Sequence, residues 1–64
     1  MPPTARLEFR ISEGNRTIAR FDYVEDAILF AMTATRDTDR RLILRDAGRF
    51  MDAVYVGGTD IGRP

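Results

Sequence analysis

Paired aspartates are the first side chains in this sequence whose type and spacing could support chemistry. Asp37 and Asp39 are separated by one residue, and two carboxylates at that spacing can contribute ligands to Mg²⁺ or Ca²⁺. A third ligand at a suitable position is not evident, and arginines flank the pair on both sides. Aspartates in such a polar loop more often pair with the arginines or form turns. We therefore predict no metal site.

The side chains most often used for nucleophilic or acid–base catalysis near pH 7, histidine and cysteine, are missing from the sequence. The chain has no histidine and no cysteine, which removes the usual general base near pH 7 and any thiolate ligand or disulfide. Ser12 and the threonines have no histidine or lysine to activate their hydroxyl groups. No Walker-type or other glycine-rich phosphate loop is present. The sequence predicts a non-enzymatic protein with no catalytic residue and no cofactor.

Arginine supplies all ten cations of the chain, and its planar guanidinium suits carboxylates and phosphates. We favour a GC-rich coding bias as the reason for this usage. The alternative is a phosphate-binding face that uses Arg10, Arg40, Arg41 and Arg45. The formal net charge of +0 gives no broad attraction for nucleic acid. A nucleic-acid-binding regulator is therefore the alternative to the function favoured below.

Charge is nevertheless segregated along the chain. Residues 36–49 carry five arginines and three aspartates, whereas residues 21–35 carry three carboxylates and no cation. The predicted sheet is thus basic and the predicted helix acidic. Such segregation suits an interface between protein chains as well as it suits binding to phosphate.

The hydrophobic pattern predicts an α+β fold in the order ββαββ, with a four-stranded sheet and one helix packed on one face. Alternating or β-branched segments predict strands over residues 6–12, 17–21, 41–45 and 50–56. Glycine-containing turns lie at 13–16 and 46–49. At 64 residues the chain forms one domain. The predicted organisation is an irregular N-terminal lead-in over 1–5, a single domain over 6–56 and a flexible C-terminal tail over 57–64.

The helix is predicted from apolar residues recurring at steps of three and four. Asp22 is expected to cap it, with Glu25 completing a capping box, and it should end near Thr35. The predicted core packs helix residues against strand residues: Val24, Ala27, Ile28 and Ala31 against Leu7, Phe9, Ile11, Leu42, Leu44 and Val54.

Four apolar residues are candidates for a protein interface: Leu29, Phe30, Ile43 and Tyr55. Leu29 falls in the middle of the polar side of the helix, and Phe30 lies at the edge of the apolar side. A lone exposed leucine is common, but a larger apolar patch usually marks an interface. Tyr55 belongs to the fourth strand, which offers β-augmentation if it lies at a sheet edge; a central strand is the favoured alternative.

These patterns together predict an interaction or binding module that self-associates, most simply as a homodimer, or that binds another protein chain. An accessory subunit of a larger complex is a third reading. No apolar run approaches the ~20 residues of a membrane span, and the N-terminus lacks a leader pattern. We therefore expect a cytoplasmic protein with no membrane partner.

Overall fold

One helix packs against an antiparallel sheet in the computed structural model, which describes residues 8–46 and 52–63. The elements are β1 (Phe9–Glu13), β2 (Arg16–Phe21), α1 (Val24–Thr35), β3 (Arg41–Asp46), β4 (Ala53–Val56) and β5 (Thr59–Gly62). The strand order is β2-β1-β3-β4-β5 and every neighbouring pair is antiparallel. The predicted lead-in, Leu7, most of the 46–49 turn and the start of the fourth predicted strand lie outside the described residues.

The α+β class and the packing of one helix on one face of a sheet are confirmed, but the predicted number of strands is wrong. A fifth strand, β5, forms within residues 57–64, the segment predicted to be a tail. Gly57 and Gly58 have φ of 60° and 81° and make the tight turn between β4 and β5, a conformation that glycine adopts without steric cost. Because β4 is paired on both sides, the sheet edges are β2 and β5, and β4 is not available for β-augmentation.

The register of the strands decides which side chains face the helix. Ile11 lies opposite Leu44, and Leu42 lies opposite Tyr55; side chains of directly opposed residues share a face. These four residues form a buried cluster with Phe9, Ala27 and Ala31. Most of the predicted core residues within the described part of the chain are therefore found where they were expected.

Val54 and Tyr55 differ from the prediction in the face on which they lie: Val54 is fully buried as predicted, but on the side of the sheet away from α1, and Tyr55 faces α1. Val54 is paired with Ile43, which alternates with Leu42 and Leu44 and so points away from α1. Tyr55 takes the place in the core that was predicted for Val54. Side chains alternate along a strand, so an error of one residue in the facing of β4 exchanges the two.

Helix α1 begins differently from the sequence prediction, whereas it ends at Thr35, where it was predicted to end. Tyr23, not Asp22, is the N-cap residue, and no side chain caps the helix; the amide of Ala27 bonds to the carbonyl of Tyr23 at 3.3 Å instead. The predicted Asp22 cap is therefore wrong. At the other end the amide of Arg36 bonds to the carbonyl of Met32 at 3.1 Å.

The C-terminal end of α1 is tied to the β4–β5 turn. The hydroxyl of Thr35, fully buried, donates to the carbonyl of Ala31 at 2.7 Å and accepts a bond from the amide of Gly58 at 2.9 Å. A Cβ placed on Gly58 would lie 3.4 Å from the carbonyl oxygen of Met32. The turn therefore lies closely against the helix and holds the last two strands in place.

Among the residues that the structure describes, no helix has the length and apolar character needed to cross a membrane.

Candidate interaction surfaces

The side of α1 turned away from the sheet carries a continuous set of exposed residues, called here the outer helix surface. With a turn of 100° per residue, each member lies within about 60° of Leu29 around the helix axis. Leu29 itself is 65% exposed and Met32 is 42% exposed. The outer helix surface comprises Glu25, Asp26, Leu29, Met32, Thr33 and Arg36, all of them exposed.

Leu29 and Thr33 form a ridge on this surface between two shallow grooves. Met32, Arg36, Gly57 and Gly58 line one groove, and Phe21, Asp26 and Phe30 line the other. The ridge therefore has open space on both sides. Such relief allows a second helix to pack ridge into groove.

Phe30 contributes the wall of one groove rather than its exposed rim. Its ring lies 5.4 Å from the ring of Phe21 between centroids, tilted by 49°. Both residues are partly buried and pack against the core. Leu29 is thus the residue that projects, and Phe30 supports the surface beside it.

Charge on the outer helix surface is separated by sign along the helix axis. Glu25 and Asp26 lie in the first turn, where carboxylates interact favourably with the positive end of the helix dipole. They form no ion pair with any described residue. Arg36 lies at the other end; its Nε is 4.0 Å from Asp37, and the two side chains are 78% and 94% exposed. An ion pair so exposed contributes little. The surface is therefore negative at one end, apolar in the middle and positive at the other end.

The sheet face opposite α1 presents arginines, and this arginine face comprises Arg10, Arg20, Arg41 and Arg45. Register aligns three of them, Arg20, Arg10 and Arg45, on neighbouring strands. Like charges directly opposed destabilise a sheet. Carboxylates offset part of this repulsion: Glu8 lies 3.2 Å from Arg20, and Asp52 lies 3.6 Å from Arg45.

Arg10, the middle arginine of this row, is the one without such a partner. It forms no ion pair with a described residue, and its Nε is buried with no hydrogen-bond partner. A buried donor left unpaired costs about 1–3 kcal/mol.

Ile43 and Tyr55 do not extend the outer helix surface. Ile43 is partly buried on the arginine face, between Ser12 and Val54, which are both buried. Tyr55 is 4% exposed and faces the helix. Burial, together with the charge of Asp60, raises the pKa of its hydroxyl above the usual tyrosine range. Of the four residues predicted to form an interface, the two on the helix lie together and these two lie elsewhere.

Arg40 is separate from the arginine face, although sequence reasoning grouped it with Arg10, Arg41 and Arg45. Its guanidinium makes two hydrogen bonds to the carboxylate of Glu13, at 3.0 and 3.1 Å. This contact lowers the pKa of Glu13 and raises the pKa of Arg40. The other three predicted arginines do share one face, and strand register adds Arg20 to them.

The loop that contains Asp37 and Asp39 is organised as a turn. Asp37 has a φ of 58°, in the left-handed region that aspartate tolerates. The Thr38 hydroxyl donates to the carbonyl of Thr35 at 3.0 Å and accepts from the amide of Arg40 at 3.1 Å. No group of three or more potential metal-ligating side chains occurs within the described ranges. The geometry of Asp37 fits the turn-forming role.

Comparison of the chain with protein-family models, with curated proteins and with solved structures found no match. The functional proposals therefore rest on the two surfaces described above.

Proposed function

We propose that this chain is a non-enzymatic protein-interaction module that forms a homodimer through the outer helix surface. The carrying observation is Leu29, which is 65% exposed at the centre of that surface. An apolar centre with charged residues around it is the usual anatomy of a protein interface. A domain of this size has a small core, and self-association is a common way to bury additional apolar surface.

The strength of the proposed dimer follows from the side chains it would cover. Burial of a leucine or methionine side chain contributes roughly 1.5–3 kcal/mol. Because Leu29 is 65% and Met32 is 42% exposed, the two residues from both copies would together contribute on the order of 3–6 kcal/mol by that measure. Association itself costs an estimated 4–15 kcal/mol. The balance favours a reversible, concentration-dependent dimer over an obligate one.

Light scattering across a dilution series, at low and high salt, tests the proposal. The wild-type chain should show a dimer at high concentration that persists as salt rises, and Leu29→Arg should be monomeric with an unchanged circular dichroism spectrum. Ile61→Arg is the matched control, since Ile61 is 60% exposed on β5 and lines neither groove. A wild-type monomer at every concentration, or a Leu29→Arg dimer, would contradict the proposal.

A second candidate function, nucleic-acid binding, is favoured by one observation: Arg10, in the row of three arginines, forms no ion pair with a residue that the structure describes. A guanidinium in that position can donate hydrogen bonds to a phosphate oxygen. Two features place this function second. Glu8 and Asp52 already pair with the flanking arginines, and none of the described aromatic side chains lies on the arginine face to stack on a base.

Fluorescence anisotropy with a labelled single-stranded oligonucleotide tests this second candidate. Binding through phosphate contacts should fall steeply as salt rises, and Arg10→Ala should weaken it. Arg16→Ala is the control, because Arg16 lies opposite Glu13 and off the arginine face. Absence of binding at low salt, or equal loss in both variants, would remove this candidate.

A further inference from the structure

We infer that two copies of this chain pair their α1 helices antiparallel about a two-fold axis, so that the acidic first turn of each faces Arg36 of the other. The inference deepens the proposed homodimer and depends on it. The occupant of the outer helix surface is thus a second copy of the same surface. Three features of that surface carry the inference: the spacing of its residues, its relief and its charge.

The spacing of the residues allows a single alignment of the two helices to bring both the apolar and the oppositely charged residues into contact. Leu29 and Met32 are centred on the midpoint between residues 30 and 31, and so are Glu25 and Arg36. If a two-fold axis passes through that midpoint, Leu29 lies level with Met32 of the second copy. Each residue rises ~1.5 Å along a helix, so Glu25 and Arg36 each lie about 8 Å from the axis. Glu25 is then level with Arg36 of the second copy.

The relief of the surface accommodates this alignment. Leu29 of one copy would enter the groove beside Met32 of the other copy. That groove is closed on its far side by the β4–β5 turn, where Gly57 and Gly58 carry no side chains that would obstruct entry. Packing of a ridge of one helix into a groove of another is the general geometry of helix pairs.

The charge pattern distinguishes the antiparallel pair from the alternatives. Parallel helices would place Glu25 and Asp26 of the two copies together and Arg36 beside Arg36, and like charges so juxtaposed are costly. Docking of the acidic first turn on the arginine face of another copy would give a head-to-tail contact, which leads to a ring or a filament and not to a two-fold dimer. Exposed ion pairs add little affinity, so these charges set the orientation while the apolar residues supply the stability.

Disulfide trapping tests the orientation, since the chain has no cysteine of its own. An equimolar mixture of Glu25→Cys and Arg36→Cys should give a cross-linked dimer on mild oxidation. Neither variant alone should cross-link, because the two copies of either position lie about 16 Å apart along the direction of the helices. Cross-linking of Glu25→Cys with itself would overturn the inference in favour of parallel helices. A dimer by light scattering with no cross-link in the mixture would overturn the orientation but not the dimer, whereas a monomeric wild type would overturn the proposed function as well.

Charge reversal gives an independent readout. Glu25→Arg and Arg36→Glu should each raise the dimer dissociation constant roughly 3–10-fold, because each creates like-charge contacts on both sides of the axis. The double variant restores opposite charges and should return the constant towards the wild-type value. High salt should shrink the difference between single and double variants. A double variant as weak as the singles, with thermal melts showing all helices folded, would contradict the inference.

Discussion

The inner side of α1 packs against the core, with Val24 and Ile28 partly buried beside smaller residues, whereas the outer side leaves two large apolar residues exposed. The fully buried residues on the inner side are small: Ala27, Ala31 and Thr35. The outer side carries Leu29 and Met32, which are 65% and 42% exposed. Small inner residues let the helix lie close to the sheet. The large outer residues add little to that contact, and the proposed dimer would bury them.

The largest effect is expected from enlarging the inner side. Ala31→Leu should lower the free energy of unfolding by about 1–3 kcal/mol or more, because Ala31 is fully buried against the sheet and additional methyl groups would force the helix outward. Urea denaturation followed by circular dichroism measures the change. Thr33→Leu, on the exposed outer side, is the control and should change the free energy of unfolding little. Equal stability of the two variants would show that the helix is not closely packed.

The second effect concerns the one polar side chain buried on the inner side. Thr35→Val keeps the shape of Thr35 but removes the acceptor for the Gly58 amide, which its hydroxyl meets at 2.9 Å. Leaving such a donor unpaired should cost about 1–3 kcal/mol, measured by the same denaturation. Thr33→Val, the same substitution on the outer side, serves as the control. If the two variants lost equally little unfolding free energy, the contact between α1 and the β4–β5 turn would not contribute to stability.

This contact also marks where sequence reasoning reached its limit. The helix and the first hairpin were predicted because their signals are local: apolar residues three and four apart, strict alternation and a turn with Gly14. β5 carries no such signal, since Thr59–Gly62 has one large apolar residue and two turn-forming ones. Its formation depends on pairing with β4 and on the Gly58 amide reaching Thr35, neither of which is visible in a local pattern.

The candidate surfaces divide in the same way. The position of Leu29 on the outer helix surface follows from helix geometry alone, so the sequence was sufficient to predict it. The row formed by Arg20, Arg10 and Arg45 depends on the register between three strands. The burial of Tyr55 depends on the register between β3 and β4. A single sequence does not encode register locally, so these two features required the structure.

A smaller effect on stability is expected from the exposed pair formed by Glu13 and Arg40. This pair can be compared with the buried Thr35 hydroxyl. Arg40 lowers the pKa of Glu13 in the folded protein. The stability this contributes is therefore present above the ordinary glutamate pKa and is lost as the pH falls through the lowered value. The difference in unfolding free energy between wild type and Glu13→Gln should be present at about pH 7 and should shrink as the pH falls below the ordinary glutamate pKa. A difference independent of pH would show that the charge of Glu13 is not the cause.

The smallest effect on the fold is expected at the most exposed large residue of the outer side. Leu29→Ala should leave the stability of the monomer within about 0.5 kcal/mol of wild type, since alanine is at least as good a helix former as leucine and the Leu29 side chain is mostly in solvent. The two chains should differ only at high protein concentration, where dimer formation raises the wild-type unfolding midpoint by mass action. Thermal unfolding over a hundredfold range of concentration measures both statements. A wild-type midpoint that does not move with concentration, or a loss in Leu29→Ala that is equal at every concentration, would assign Leu29 to the fold and remove the contrast between the two sides of α1.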